Sequence, residues 1–96
     1  MNQQGWHYFL ELCMGAADKQ ILTELFSLLL TAEERSDMET RCLIIKALLD
    51  QEKTQRQMSD ELRVSIAKIT RGSNELKRIS PQLKAYLQKT FAESEQ

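Results

Sequence analysis

The chain has 96 residues, 42% of them hydrophobic and 28% charged, and its formal net charge at pH 7 is −1. This length predicts one domain over residues 1–96, and the composition excludes an intrinsically disordered chain. The longest apolar run, Ile21 to Leu30, is far shorter than the roughly 18 residues of a membrane span, and the start MNQQGWHYF lacks the features of a signal peptide, so we expect a cytoplasmic protein with no membrane partner.

Helices are predicted from the N-terminus onward, because apolar residues recur at helical spacing and the chain has only three glycines and one proline. The first helix is predicted over 3–16. Asp18 is placed to cap a second helix over 19–30, and seven of the ten residues from Ile21 to Leu30 are apolar. A helix this apolar needs cover on several sides, which favours interdigitation with a second chain.

The third helix begins at a capping box, in which the side chains of Thr31 and Glu34 bond each other's backbone amides. It is predicted to run to about Asp50, with Arg41 on the flank of a wide apolar stripe. The stripe consists of Met38, Cys42, Ile44, Ile45, Leu48 and Leu49.

Three shorter helices follow. A second capping box opens a fourth helix over 54–62, Ser65 caps a fifth, and Ser80 followed by Pro81 starts a sixth. The sixth helix is expected to end near Ala92, leaving a frayed tail. The predicted fold class is therefore all-α with six helices.

Residues 54–71 predict a helix-turn-helix, in which two short helices are joined by a turn of three or four residues. Met58, Leu62, Val64 and Ile69 are spaced to pack the two helices together at a steep angle. The second helix of such a unit can lie in the major groove of DNA with its first residues against the base edges. The alternative is a helical packing unit that never touches DNA.

Two residues depart from the usual helix-turn-helix pattern. Arg63 occupies the turn position where glycine is common, and a left-handed backbone there costs a residue with a side chain on the order of 1 kcal/mol. Ser59 replaces the small alanine that lets the two helices cross, and it is polar.

The predicted DNA-facing residues are small, polar or basic. Small and apolar side chains at the start of the fifth helix suit contact with thymine methyl groups, and polar or basic ones suit phosphates and bases. The predicted set is Gln55, Arg56, Ile66, Ala67, Lys68, Thr70, Ser73, Asn74 and Lys77.

Positive charge is concentrated in the same part of the chain. Residues 53–78 contain seven basic and three acidic residues, a net charge of +4, whereas the rest of the chain carries −5. A local basic patch indicates phosphate binding, although a solvated helix face also gathers charge.

Metal binding and catalysis are not expected. The chain has a single histidine, His7, and its two cysteines, Cys13 and Cys42, have no CxxC spacing, so we expect them to be reduced. No nucleophile and base can be assembled from one histidine and scattered acids, so we expect no enzyme activity.

With ITRGSN (69–74) directly after the turn, LLLTAEER (28–35) before it and Arg41 between them, the chain resembles the tryptophan operon repressor family from about Trp6 to Leu87. The resemblance implies a bacterial transcriptional repressor of tryptophan biosynthesis or uptake genes. It also implies an intertwined homodimer, with 3–50 and 81–92 as dimerisation core and 54–78 as DNA-reading head. Trp repressors are an established example of helix-turn-helix dimers, with half-sites about 34–36 Å apart or multiples of that.

The resemblance further implies L-tryptophan as corepressor and no metal. Arg41 and Arg71 are the residues it assigns to sandwiching the indole, Arg71 also pairing with the carboxylate, while Gly72 leaves space for the ligand. The remaining implied contacts are the carbonyls of Leu28 and Leu30 of the other chain for the ammonium, the wall residues Thr31 and Ile45, and Glu75.

Glu75 and Lys68 stand where the family pattern has small hydroxyl residues. Glu75 either contacts the ligand ammonium or pairs with Arg71, one helical turn earlier. Lys68 adds attraction for phosphate.

Two other functions remain open at this point. One is a helix-turn-helix protein that binds operator DNA without a ligand, its arginines serving only phosphates. The other is a helical protein-interaction module that leaves the basic face idle.

Overall fold

The computed structural model describes residues 3–95, and the predicted all-α class with six helices is confirmed. The helices are α1 (Gln3–Gly15), α2 (Lys19–Leu29), α3 (Ala32–Asp50), α4 (Gln55–Leu62), α5 (Ile66–Leu76) and α6 (Pro81–Ser94). No strand occurs among the described residues. The predicted end of the sixth helix at Ala92 is too early, because α6 continues to Ser94. The last residue of the predicted frayed tail, Gln96, lies outside the described residues.

Both predicted capping boxes are present. Thr31 Oγ1 accepts the N–H of Glu34 at 3.1 Å, and Glu34 Oε1 accepts the N–H of Thr31 at 2.9 Å. Thr54 and Gln57 exchange the same two bonds at 3.1 and 2.8 Å. The Glu34 carboxylate is stabilised by a hydrogen bond from the Thr31 backbone and, to a smaller extent, by one from the Thr31 side chain. Both hold the pKa of Glu34 below its ordinary value.

The predicted single caps are also confirmed, because each capping side chain accepts a backbone N–H three residues further on. Asp18 Oδ1 accepts from Ile21 at 3.0 Å. Ser65 and Ser80 accept from Lys68 at 3.3 Å and Leu83 at 3.1 Å. The first helical position of α6 is the predicted Pro81.

Contacts divide the chain into two units, up to Asp37 and from Met38 onward. The first unit pairs α1 with α2 through aromatic rings: Trp6 lies 5.2 Å from Phe9, and Phe9 lies 6.3 Å from Phe26, between ring centroids. No residue of either helix is buried. Apolar side chains of α1 and α2 that the sequence indicates as core are therefore not fully buried in a single chain.

The second unit has the only buried cluster among the described residues. Ile44 of α3, Met58 of α4 and Ile69 of α5 are buried, and Ile69 has no exposed surface. The partly buried residues packed against them are Ala47, Leu48, Leu62 and Val64. This confirms the predicted role of Met58, Leu62, Val64 and Ile69 in joining α4 to α5.

The apolar stripe predicted for α3 is only partly covered. Ile44 is 4% exposed, whereas Met38 is 45% exposed and Cys42 is also exposed. The covered row is the one that faces α4 and α5, because these helices supply the buried residues against it.

The turn between α4 and α5 has a left-handed backbone at Arg63, the position where the helix-turn-helix pattern favours glycine. Arg63 has φ 56° and ψ 46°, a conformation that costs a residue with a Cβ about 1–2 kcal/mol. Ser59 stabilises the same turn: its hydroxyl donates to the Val64 carbonyl at 2.6 Å, and its carbonyl accepts the N–H of Val64 at 3.2 Å and the N–H of Arg63. The polar residue at position 59 thus has a structural reason that its sequence context did not reveal.

Charged side chains link the end of α6 to α3. Lys46 Nζ contacts Asp50 Oδ2 at 2.9 Å and also pairs with Glu95. Hydrogen bonds to Glu95 and then to Asp50 raise the pKa of Lys46, because both carboxylates favour its charged form.

Replacing Ser59 by alanine is expected to destabilise the protein by about 1 kcal/mol, since the half-buried Val64 carbonyl loses its hydroxyl donor. Chemical denaturation followed by circular dichroism measures the change. Ser36→Ala, at an exposed position in α3, is the matched control because both substitutions gain the same helix propensity. Equal stability of the two variants would contradict this role for Ser59.

Candidate ligand site and nucleic-acid interface

α5 packs closely against α3 at Gly72. A Cβ placed on Gly72 would lie 3.1 Å from Ile44 Cγ2, 3.4 Å from Leu48 Cδ1 and 3.8 Å from Ile45 Cδ1. The first distance is tighter than nine in ten real contacts of a Cβ, so Ile44 would have to move by a few tenths of an ångström to admit a side chain at Gly72. From the sequence, Gly72 is expected to leave space for a ligand, and the structure adds helix packing as a second reason.

Arg41 and Arg71 lie on the two helices that meet at Gly72. On α3, Arg41 shares a face with Ile44 and Leu48, three and seven residues further on. On α5, Arg71 directly precedes Gly72. Both arginines are exposed, and neither forms an ion pair with any residue between 3 and 95. Their guanidinium groups are therefore free to bind an external ligand.

The remaining predicted ligand residues belong to both units of the chain. Ile45 is half-buried and Glu75 is exposed, both in the second unit. In the first unit, Leu28 is 80% exposed and Leu30 is half-buried. Leu30 ends α2 in an extended conformation, with its N–H bonded to the Phe26 carbonyl at 2.8 Å. Thr31 is exposed, and its hydroxyl accepts the capping bond from Glu34.

The start of α5 presents the predicted DNA-facing residues to solvent. Ile66 is 49% exposed, and Ala67, Lys68 and Thr70 are exposed. The Thr70 hydroxyl donates to Gln55 Oε1 at 3.2 Å. This bond joins the first residue of α4 to α5, and no sequence signal indicated it.

The other predicted DNA residues also lie at or near the surface. Arg56, Asn74 and Lys77 are exposed, and Ser73 is half-buried. Lys77 follows α5, where its N–H bonds the Asn74 carbonyl at 3.2 Å. The interface predicted from sequence is thus a set of accessible side chains on α4 and α5.

Most of the positive charge in residues 53–78 is available for an anion. Lys53 pairs with Glu61. The other six basic residues of this segment form no ion pair within the part of the chain that the structure describes. Exposed, unpaired cations beside an exposed helix start suit a polyanion such as DNA.

Comparison with known proteins indicates the family of the chain. A family model described as Trp repressor protein matches residues 4–91. The chain belongs to the Trp repressor family. This confirms the resemblance found in ITRGSN and LLLTAEER, and it assigns the chain to a family of DNA-binding transcriptional regulators that is not enzymatic.

Relatives in several bacteria cover nearly the whole chain. The Trp operon repressor homolog of Chlamydia trachomatis serovar D is 49% identical over 88 residues, covering 92% of this chain and 94% of that protein. The homolog of Chlamydia caviae is 46% identical over 90% of this chain and 85% of its own length. That of Pasteurella multocida is 36% identical over 96% of this chain and 90% of its own length.

Residues 3–95 lack two further features. They contain no cluster of three or more histidine, cysteine, aspartate or glutamate side chains that could hold a metal ion. None of the helices combines the length and the apolar character needed to cross a membrane.

Replacing Gly72 by valine is expected to destabilise the protein by about 1–3 kcal/mol, because the added side chain overpacks the contact with Ile44 and Leu48. Urea denaturation measures the loss. Gly5→Val in α1 is the control, since a Cβ at Gly5 meets nothing within 4 Å. If both valine variants unfold at the same urea concentration as the unmodified chain, α5 does not approach α3 as described.

Proposed function

We propose that the protein is a tryptophan-dependent transcriptional repressor that acts in the bacterial cytoplasm as a homodimer on a palindromic operator. The proposed targets are genes of tryptophan biosynthesis or uptake. The observation that carries the proposal is the contact of α3 and α5 at Gly72, with an exposed, unpaired arginine on each helix beside it, in a chain of the Trp repressor family.

The ligand binds between the two arginines. Guanidinium planes of Arg41 and Arg71 sandwich the indole, which attracts cations through its face, and Arg71 also pairs with the carboxylate. The ammonium is accepted by the carbonyls of Leu28 and Leu30 of the partner subunit, at the negative end of its α2. Thr31 and Ile45 complete the wall.

The need for a second chain is supported by apolar side chains that a single chain leaves open. Trp6 is 63% exposed in α1, Leu28 80% in α2 and Tyr86 64% in α6. Large apolar side chains left exposed on three helices support an interface with a second chain. Two helices that bury none of their residues cannot be held by their own contacts, since isolated short helices are marginal in water. Residues 3–50 and 81–92 form the proposed dimerisation core.

Residues 54–78 form the DNA-reading head. Ile66, Ala67, Lys68 and Thr70 approach the base edges from the start of α5, held against α4 by the bond between Thr70 and Gln55. Gln55 and Arg56 contact the DNA backbone or a base, and Ser73, Asn74 and Lys77 contact the backbone. Base contacts mediated by water are expected, as established for the Trp repressor operator complex.

Tryptophan controls DNA binding by acting as a wedge. Bound beside Gly72, it contacts α3 and α5 together and holds the reading head at the separation that two successive major grooves require. Without the ligand, α5 leans inward or fluctuates. DNA and tryptophan favour the same conformation, so each strengthens the binding of the other, typically by 1–3 kcal/mol.

Arg71→Ala is expected to remove tryptophan binding and tryptophan-dependent operator binding while leaving the dimer intact. A library of palindromic DNA sites is screened at fixed salt with and without tryptophan, calorimetry measures ligand affinity, and light scattering measures mass. Lys53→Ala is the control, because it also removes one exposed cation and lies outside both the proposed dimerisation core and the reading head.

Three outcomes contradict parts of the proposal. Tryptophan affinity of Arg71→Ala within a factor of two of the unmodified protein would exclude the arginine sandwich. DNA affinity of the unmodified protein that is the same with and without tryptophan would indicate a ligand-independent DNA-binding protein. Absence of DNA binding even at low salt would leave a helical protein-interaction module as the remaining function.

A further inference from the structure

We propose that Arg63, in the turn between α4 and α5, is a further phosphate-binding residue of the DNA-reading head, which contacts the DNA backbone whatever the base sequence. The inference rests on the DNA binding of the proposed function and does not involve the tryptophan site. Three properties of this residue carry it: a left-handed backbone, an exposed side chain and a positive charge that no other residue between 3 and 95 pairs with.

The backbone conformation of Arg63 is one that an arginine adopts at a cost. Its φ of 56° lies in the left-handed region, where glycine avoids the clash that a Cβ makes with the following carbonyl. The hydrogen bonds that fix this turn use the N–H of Arg63, the N–H and carbonyl of Val64, and the hydroxyl and carbonyl of Ser59. A glycine at position 63 would form the same bonds without the clash, so they do not explain an arginine there.

Interactions within the protein do not explain the side chain either. Arg63 is exposed and its guanidinium forms no hydrogen bond or ion pair with any residue between 3 and 95. Glu61, the acidic residue nearest to it in sequence, pairs with Lys53. The dipole of α4 favours a cation at this end of the helix, but that gain at an exposed position is smaller than the cost of the left-handed backbone. The charge is therefore available to an external anion, and strained residues are often retained for such a role.

The place of Arg63 in the fold brings this charge to the border of the proposed DNA groove. Arg63 precedes Ile66, the first residue of α5, by three residues, which span at most about 11 Å even in an extended chain. The major groove that would receive the start of α5 is about 12 Å wide. The phosphates along the edge of the groove are thus within reach of a long side chain at this position, and a guanidinium binds phosphate through paired hydrogen bonds.

A phosphate contact at Arg63 predicts opposite effects on stability and on DNA binding. Removing the charge weakens binding to every DNA sequence alike, because the backbone carries no sequence information. It also lowers the salt dependence of binding, since one phosphate fewer is neutralised. Replacing the residue by glycine, in contrast, relieves the left-handed backbone and stabilises the fold.

The test uses three variants of the full chain. Arg63→Gly removes the charge and relieves the backbone, Arg63→Gln removes the charge alone, and Arg63→Lys keeps the charge. The matched control is Gln51→Gly, because Gln51 is the other non-glycine residue of 3–95 with a positive φ, 55°, and it is exposed and uncharged.

Two measurements are made on each variant. Fluorescence anisotropy, with tryptophan present, gives the affinity for the operator selected from the library and for a duplex of scrambled sequence, over a series of salt concentrations. Thermal unfolding gives the stability.

We expect Arg63→Gly and Arg63→Gln to bind both duplexes about tenfold more weakly, as for the loss of one charge-assisted contact. The slope of log affinity against log salt concentration is expected to decrease by about 0.9 in both. Arg63→Lys is expected to keep the slope and to bind within about threefold of the unmodified protein. Arg63→Gly and Gln51→Gly both unfold at a higher temperature than the unmodified protein, whereas Gln51→Gly keeps its DNA affinity.

Three outcomes overturn the inference while the proposed function stands. The first is an affinity and a salt slope of Arg63→Gln equal to those of the unmodified protein. The second is a loss of affinity in Arg63→Gly alone, which would show that a loosened turn and not a missing charge weakens binding. The third is a loss confined to the operator, which would assign Arg63 to base reading. If the unmodified protein binds neither duplex at low salt, the proposed function fails and the inference with it.

Discussion

The close approach of α5 to α3 at Gly72 is the constraint on which the proposed site depends. A helix normally loses about 0.5–1 kcal/mol when glycine replaces alanine in its interior. Here the absence of a side chain lets the backbone of α5 come against Ile44 and Leu48. The same contact brings the helix of Arg71 to the helix of Arg41, so helix packing and the proposed ligand binding both depend on Gly72.

A very small core connects the proposed reading head to this contact. Ile44, Met58 and Ile69 come from three different helices and are the buried hydrophobic residues of the described chain. Any shift of α5 against α3 is therefore transmitted to α4, whose Met58 packs in the same cluster. The turn between α4 and α5 is itself fixed, since the bonds of Ser59 offset the left-handed backbone of Arg63. A ligand that contacts α3 and α5 would therefore act on the proposed reading head through this shared cluster.

The starts of α2 to α6 were predictable because each depends on a local capping signal. Capping residues such as Thr31, Thr54 and Ser80 bond amides within the next turn, and that geometry follows from their spacing alone. The left-handed turn at Arg63 was indicated by the helix-turn-helix pattern, in which glycine is common at that position. The exposure of Met38 and Trp6 was not, because burial depends on which other surfaces are present, and apolar periodicity does not say whether the covering surface belongs to the same chain.

The candidate site was predictable only through family resemblance, and its contacts were not predictable at all. ITRGSN indicates the family, but no pattern in it shows that Gly72 packs on Ile44 or that Thr70 bonds Gln55, since these pairs are separated by 28 and 15 residues. Ser59 departs from the usual helix-turn-helix pattern, and its hydrogen bond to the Val64 carbonyl explains the departure. Long-range contacts of this kind depend on the packed arrangement of several helices.

The central claim is that tryptophan and DNA stabilise one arrangement of α3 and α5. The most direct test is the affinity for tryptophan measured by calorimetry, first with the free protein and then with the protein saturated by its selected operator at the same salt concentration. The account predicts that operator DNA tightens tryptophan binding by about 5- to 150-fold, the factor by which tryptophan tightens DNA binding. Equal tryptophan affinity in the two states would contradict it.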